Sequence, residues 1–333
     1  MGPSKVSDTG PDFSGKNVLC VEPSVLSGGL KLPPSKSHAM RWLTLASMDV
    51  KPTKIVMWEI GKDVLAMIDC LKQLGIKWES DTISGGELSR PSGTLDCKNS
   101  GTALRFLIGQ SATCDFKISI DGDSSLRARS SLQLLESLCI EFNSKQNKSE
   151  LPIDITGPFN LQNVEIDVSK TSQFYSSLML MAPRTDGFNI TTTGDAVSRN
   201  HSALTWELCQ LTGAKNIGKA WHVNCPDVEI PSDASMMSFA KLAGLEVTNA
   251  PSEKESIGHS LENSVLRDSN DLITPMAAWL ALGKGGLISG APHAAHKESN
   301  RITKTVEMLS RFGIEASANT DGILVGGGQV PSR

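Results

Sequence analysis

Basic residues recur in this sequence about one helical turn after runs of small polar residues. Lys36 and Arg41 lie in PPSKSHAMR, Arg105 follows NSGT, and Lys297 and Arg301 lie in HKESNR. The free N–H groups and positive dipole end of a helix N-terminus attract phosphate and carboxylate. A single arginine is more often a solvated surface charge, so the repetition carries the prediction. If the helix starts face one another, they form a cleft for a ligand with several negative charges.

Two kinds of predicted helix would position these residues. The first kind opens with Ser, Thr, Asn or Asp, which cap helix N-termini; its segments are 34–47, 99–109, 170–183, 232–244 and 270–283. The second kind has apolar residues at i, i+3, i+4 and i+7, typical of an amphipathic helix; its segments are 63–78, 130–142, 202–217 and 303–316. Three of the second kind end at a glycine suited to a helix C-cap.

Short strand-like runs such as FKISI, NITTT and GLISG lie between these helices. The alternation predicts an α/β protein made of tandem α+β units, of which five are visible. The fourth unit is short, because residues 245–269 contain no clear second helix. After the fifth unit the sequence ends in GILVGGGQVPSR.

Composition limits the class of function. The chain has 333 residues, 39% of them hydrophobic, which is enough for a core and predicts two domains. The 32 basic and 36 acidic residues give a net charge of −4, which argues against nonspecific binding of nucleic acid. No apolar run approaches the roughly 20 residues of a membrane span, and the polar N-terminus does not resemble a secretory signal.

The seven cysteines lie far apart, with no CxxC pair, which argues against a disulfide framework. Cys70, Cys139 and Cys209 lie in apolar helical patterns that predict buried free thiols. We therefore expect a protein of the reducing cytoplasm that binds neither nucleic acid nor membrane.

Six blocks of the sequence together resemble the enolpyruvyl transferase family. They are LPPSKSHAMR (32–41), NSGTALRFL (99–107), GDSSLRARS (122–130), VSKTSQF (168–174), SDAS (232–235) and HKESNRI (296–302). The second is similar to the family's N-A-G-T-x-x-R signature, and the last to its K-E-T-D-R motif with conservative changes at two places. The resemblance covers residues 18–325 and is to the branch of the family that acts on shikimate 3-phosphate.

The resemblance implies a fold of two domains, each an inside-out α/β barrel of three βαβαββ units, that close on the substrates. Units one to three would form one domain, residues 33–229. The N-terminal strand with units four and five would form the other, residues 1–32 plus 230–333. The family's sixth unit is missing from this sequence together with its phosphoenolpyruvate contacts, so we expect an incomplete second domain and impaired turnover.

The reaction implied is transfer of the enolpyruvyl group from phosphoenolpyruvate to the 5-hydroxyl of shikimate 3-phosphate, with release of phosphate. It requires no metal or organic cofactor. We expect a monomer whose partners are these two small molecules. His293 and His296 form an HxxH without a clear third ligand, and we predict no metal site there.

The resemblance also implies residue roles. Lys36 would contact phosphoenolpyruvate and move a proton to its methylene carbon, and Glu298 would be an acid or base near the reacting carbon. Arg129 and Arg301 would bind its carboxylate and phosphate, and Gly101 would leave room for it. The other substrate-binding residues implied are Ser37, Arg41, Asn99, Thr102, Thr171, Ser172, Gln173, Ser198 and Lys297.

The position of the family's catalytic aspartate is ambiguous in DSNDLITPMAA (268–278). Strict spacing puts Thr274 there, whereas a small alignment shift puts Asp271 there, which we favour. An aspartate at that point could also simply cap a helix.

Two other functions stay open from sequence. One is a non-catalytic or fragmentary paralogue that binds shikimate 3-phosphate, and the other is an enolpyruvyl transferase acting on another hydroxyl acceptor. The branch that uses UDP-N-acetylglucosamine has a reactive loop cysteine, and the loop after Gly122 contains none.

Overall fold

The computed structural model describes residues 25–146, 149–256 and 258–332. Its α-helices are α1 (Lys36–Ala46), α2 (Lys62–Gln73), α3 (Gly101–Ala112), α4 (Ser124–Arg127), α5 (Leu132–Leu138), α6 (Gln173–Met181), α7 (Arg199–Leu211), α8 (Met237–Leu242), α9 (Ile273–Leu282) and α10 (Arg301–Arg311). Short 3₁₀ helices cover Ala182–Arg184, Ala234–Met236, Asn270–Leu272 and Pro292–His296.

The strands are short and lie between the helices. They are β1 (Gly29–Leu30), β2 (Thr53–Val56), β3 (Lys77–Glu79), β4 (Thr82–Ser84), β5 (Leu95–Asp96), β6 (Ile118–Asp121), β7 (Glu141–Gln146), β8 (Ser149–Thr156), β9 (Asn163–Asp167), β10 (Asn189–Thr193), β11 (Val228–Glu229), β12 (Glu246–Val247), β13 (Gly286–Ile288), β14 (Ala316–Ala318) and β15 (Ile323–Val325). Residues 1–24, where the predicted N-terminal strand begins, lie outside the described residues, as does Cys20.

Every predicted helical segment contains a helix. The glycine C-caps are confirmed, because α2, α7 and α10 are followed by Gly75, Gly213 and Gly313 with φ angles of +90°, +114° and +70°. The predicted burial of Cys139 is wrong: α5 ends at Leu138, and Cys139 is an exposed C-cap with φ +47°. Its left-handed backbone turns it away from the apolar face of the helix. Cys70 and Cys209 are buried, as predicted.

The sheets repeat one strand order. In the sheet β5-β6-β8-β7 the first pair is parallel and the others are antiparallel, as a βαβαββ unit requires. The sheet β11-β2-β4-β3 has the same pattern, with its first strand supplied from residues 228–229. The described strands form five separate sheets and no closed barrel. The α/β fold of repeated units is therefore present, without barrel closure in this part of the chain.

Two hydrophobic cores divide the described residues. The first lies between Ala39 and Ile230, and the second between Leu261 and Val325; we call the parts of the chain around them the first half and the second half. The chain passes between the halves at two adjacent segments, where Ser35 N–H donates to the Pro231 carbonyl at 2.7 Å. The two cores support the predicted domain boundaries, which we retain as a proposal.

Candidate active site between the two halves

A cavity of about 810 Å³ lies between the halves of the chain. All fifteen residues that the sequence assigned to catalysis or substrate binding line it. The starts of α1, α3, α6 and α10 reach this cavity, so the helix starts do converge as predicted. Side chains cap three of them: Ser35 caps α1, Ser100 caps α3 and Asn300 caps α10. Local capping signals thus place the motif residues at the cleft.

Arg41 and Arg105 are positive charges on the cleft wall that the first half of the chain forms. Neither has a carboxylate partner among the described residues. Arg41 is 2% exposed and donates to Thr205 Oγ1 at 2.7 Å and to the Ser37 carbonyl at 2.8 Å. Arg105 donates to Gln173 Oε1 at 2.5 Å. Burial lowers the pKa of each guanidinium to about 10, so both remain charged at neutral pH.

Gly101 allows two guanidinium groups to approach the start of α3. A Cβ at this position would lie 2.9 Å from Arg105 Nη1 and 3.0 Å from Arg129 Nη1. Arg129 is held by Asn99, donating to its carbonyl at 2.6 Å and to Oδ1 at 2.9 Å. The sequence explained this glycine by the space that phosphoenolpyruvate needs, whereas the structure shows that the arginine side chains need that space as well.

Lys36 forms an ion pair with Asp63, whose carboxylate lies 3.0 Å from Nζ. Burial alone would lower the pKa of Lys36, but the charge and hydrogen bond of Asp63 raise it above the ordinary lysine value. Lys36 is therefore fully charged at neutral pH. The sequence analysis did not single out Asp63, which lies 27 residues away on α2.

Arg301 forms ion pairs with two carboxylates on the cleft wall that the second half of the chain forms. Its Nη1 donates to Asp271, while Nε and Nη2 donate to Glu298 Oε1 at 3.0 and 2.7 Å. Burial alone would raise the pKa of both acids, but the Arg301 charge holds them below their usual range. Both carboxylates are therefore ionised and can accept a proton.

The two candidates for the aspartate position differ in location. Asp271 lines the cleft. Thr274 is not among the residues that line it, and its hydroxyl lies 2.9 Å from that of Thr305. Of the two, Asp271 is therefore the one that a ligand in the cleft would meet, and Ser269 rather than Asp271 is the N-cap residue of the short helix there.

Lys297 is a further cation in the cleft that forms no ion pair among the described residues. Burial lowers its pKa to about 8, an effect that Arg301 reinforces and Asp271 opposes. Such a lysine is only partly charged at the upper end of the physiological pH range, and a bound anion would favour its charged form.

Several cleft residues were not assigned a role from sequence. Arg105 was recognised as a basic residue beside a helix start, but Lys170, His201 and Asn270 gave no separate signal. His201 is held neutral because burial lowers its pKa to about 4. It lies one turn into α7, where a histidine is indistinguishable in sequence from an ordinary surface residue.

The described residues contain no group of three side chains suited to a metal ion. His293 is 3% exposed, whereas His296 is exposed, so the two do not form a pair facing the same space. None of the helices in the described ranges is both long and apolar enough to cross a bilayer.

Comparisons with known proteins agree with the motif blocks. The family described as EPSP synthase (3-phosphoshikimate 1-carboxyvinyltransferase) matches residues 21–224. A protein named 3-phosphoshikimate 1-carboxyvinyltransferase from Methanocorpusculum labreanum is 30% identical, over 93% of this chain and 85% of its own length. One of the same name from Methanothermobacter thermautotrophicus is 26% identical, over 91% and 84%.

The fold is similar to that of EPSP synthase from Acinetobacter baumannii. One such solved structure has a TM-score of 0.66 and 20% identity, covering 91% of this chain and 82% of that chain. A second has the same TM-score and 19% identity. With the family match over residues 21–224 and the 30% identical relative, this chain belongs to the EPSP synthase (3-phosphoshikimate 1-carboxyvinyltransferase) family.

Proposed function

We propose that this chain transfers the enolpyruvyl group of phosphoenolpyruvate to the 5-hydroxyl of shikimate 3-phosphate and releases inorganic phosphate. The observation that carries the proposal is a group of cleft cations with no carboxylate partner among the described residues: Arg41, Arg105, Arg129 and Lys297. Each substrate carries a phosphate and a carboxylate, which arginine binds through paired, charge-assisted hydrogen bonds. The family and the names of its relatives support the same reaction.

We assign the shikimate 3-phosphate side to the first half of the chain. The start of α6 offers backbone N–H groups and the side chains of Thr171, Ser172 and Gln173, and Ser37 and Ser198 line the same cleft. Gln173 is fixed by two contacts, since its amide nitrogen donates to Thr102 Oγ1 at 3.1 Å and its oxygen accepts from Arg105. Hydroxyl and amide groups fixed in this way suit the hydroxyls and phosphate of the ligand.

We assign phosphoenolpyruvate to the space next to Gly101. Arg129 and Arg105 approach it from the first half of the chain, and Lys297 faces the same cavity from the second. Arg301 would take part only if the anion competed with Asp271 or Glu298 for its guanidinium. Its two ion pairs also give it the role of fixing the positions of those carboxylates.

The protonation states suit the two steps of the reaction. Lys36 is charged and would give a proton to the methylene carbon, while ionised Asp271 would accept the proton of the 5-hydroxyl as its oxygen bonds to C2. In the second step the C2–O bond to phosphate breaks, and the methyl carbon returns a proton to a base, for which Glu298 is the second ionised carboxylate. Positioned acids and bases of this kind contribute about 10²- to 10⁴-fold each.

The test is calorimetric titration with shikimate 3-phosphate, then with phosphoenolpyruvate, followed by a phosphate-release assay at saturating concentrations. We expect binding of shikimate 3-phosphate, weaker binding of phosphoenolpyruvate and low but measurable turnover that Lys36→Gln abolishes. Binding without phosphate release would favour the non-catalytic paralogue. Phosphate release with a different hydroxyl acceptor, but not with shikimate 3-phosphate, would refute the substrate assignment.

We also propose that the chain acts as a monomer in the cytoplasm. The proposed contacts all come from one chain, because residues of both halves of the same molecule line the cleft. The six cysteines in the described ranges are free thiols, which suits a reducing compartment. Sedimentation equilibrium of the purified protein tests the oligomeric state.

A further inference from the structure

Two segments, one from each half of the chain, bond directly to each other beside the cleft. Residues 195–199 come from the first half and residues 267–270 from the second; we call their contact the clasp. Ser198 N–H donates to the Arg267 carbonyl at 3.0 Å, and Arg267 Nε donates back to the Ala196 carbonyl at 2.9 Å. Because these bonds are reciprocal, they fix the spacing of the two segments.

Of the two ion pairs in the clasp, Arg199–Asp268 is closer than Arg267–Asp195, whose charged atoms lie 3.6 Å apart. Arg199 Nη2 lies 2.5 Å from Asp268 Oδ2, and Nε lies 3.1 and 3.0 Å from its two oxygens. The backbone N–H of Arg199 also donates to Oδ1 at 2.8 Å. A bidentate arginine–carboxylate contact restricts the orientation of the two side chains as well as the distance between them.

Side-chain hydrogen bonds connect the clasp to residues that line the cleft. Asn270 Nδ2 donates to Ser198 Oγ at 3.3 Å, and Arg301 Nη1 donates to Asn270 Oδ1 at 3.3 Å. Arg301 in turn holds Asp271. Ser198, at the start of α7, has a left-handed backbone with φ +51°, a conformation that a serine keeps only where its surroundings enforce it.

We propose that Arg199 and Asp268 are positioning residues, whose ion pair holds the two halves in the orientation that brings Ser198 and Asp271 together in one cleft. The covalent crossings near residues 35 and 231 join the halves but leave their relative angle to other contacts. The clasp supplies such a contact at the cleft itself. The kinetic part of this proposal rests on the proposed function, whereas the structural part does not.

The structural part is tested by distance measurement between two spin labels. One label is attached to exposed Cys139 in the first half, and the other to Ser317→Cys on β14 in the second half, in a chain with Cys20→Ser. We expect one narrow distance distribution for this parent, and an added longer component for Arg199→Gln. An unchanged distribution in Arg199→Gln would overturn the proposal, whether or not the chain is an active enzyme.

The kinetic part is tested with Arg199→Gln, Asp268→Asn and the double variant. Loss of the ion pair should leave fewer molecules with the two halves in the orientation that the clasp holds. The apparent affinity for substrate then falls in proportion to the population of that orientation. We expect KM for both substrates to rise by the same factor, about three- to tenfold for an exposed but two-pronged ion pair. At saturation kcat should change little, because bound substrate restores the orientation of the two halves that the clasp otherwise holds.

The double variant should be no worse than the poorer single variant, since both remove the same contact. Lys54→Gln, which breaks the 3.4 Å ion pair with Asp81 inside the first half, is the control for loss of a surface charge. Additive effects in the double variant, or equal effects of Lys54→Gln on KM, would overturn the proposal. A wild-type chain that binds shikimate 3-phosphate but releases no phosphate would refute the proposed function and leave the spin-label test standing.

Discussion

Raising the pH from 7 to 9 should weaken binding of the two anionic substrates through loss of the Lys297 charge. With a pKa of about 8, the free side chain is roughly 90% protonated at pH 7 and roughly 10% at pH 9. If only the ammonium form binds the anion, affinity follows this fraction and falls about tenfold. A phosphate monoester, with a second pKa near 6, is already a dianion across this range, so the ligand does not change its own charge.

The assay is calorimetry at constant ionic strength. Shikimate 3-phosphate is titrated first, and phosphoenolpyruvate is then titrated into protein saturated with shikimate 3-phosphate. The sum of the two binding free energies is compared between pH 7 and pH 9. His201 and His293 stay neutral throughout, because burial lowers the pKa of each to about 4. Lys297→Arg keeps the charge at every pH and should give a flat profile from pH 7 to 9. A flat wild-type profile, or the same fall in Lys297→Arg, would refute the reasoning.

Three substitutions test other parts of the cleft. Gly101→Ala should weaken phosphoenolpyruvate binding much more than shikimate 3-phosphate binding in calorimetry, because its Cβ would displace the Arg105 and Arg129 side chains; equal losses would indicate a folding defect. Arg129→Lys should lower kcat/KM roughly 10- to 150-fold, the equivalent of 1.5–3 kcal/mol of charge-assisted hydrogen bonding, and wild-type kinetics would remove it from the site. Asp271→Asn should lower kcat about 10²- to 10⁴-fold, whereas Thr274→Ala should change only the unfolding free energy, by about 1 kcal/mol; the reverse pattern would reassign the base.

Elements with local signals were predictable from sequence. The run NITTT coincides with β10, and the polar helix starts at Ser100 and Asn300 are caps in the structure. Capping depends on side chains within three residues of one another, so the sequence shows it directly. The short fourth unit was visible for the same reason: periodicity is absent from residues 245–269, and the structure has no α-helix among the described residues there.

Partners distant in the chain were not predictable. Asp63 pairs with Lys36 only because α1 and α2 pack side by side, and Asp268 meets Arg199 only because the two halves of the chain touch. The sequence identified Asp271, Glu298 and Arg301 separately but not as one network. The spacing of 30 residues between Asp271 and Arg301 carries no contact information without the fold.

The net charge of −4 does not conflict with a cleft for two multivalent anions. The cations that line the cleft are of two kinds, which differ in whether a carboxylate neutralises them. Lys36 and Arg301 are neutralised by neighbouring carboxylates, which fixes protonation states for proton transfer but leaves little net charge to attract a ligand. Cations of the other kind contact neutral acceptors or no acceptor; they are Arg41, Arg105, Arg129 and Lys297. Burial lowers the pKa of each, so holding these charges without counterions disfavours the charged form and an anion that enters the cleft relieves that cost. The local field therefore follows from which cations lack carboxylate partners, and the total charge of the chain does not determine it.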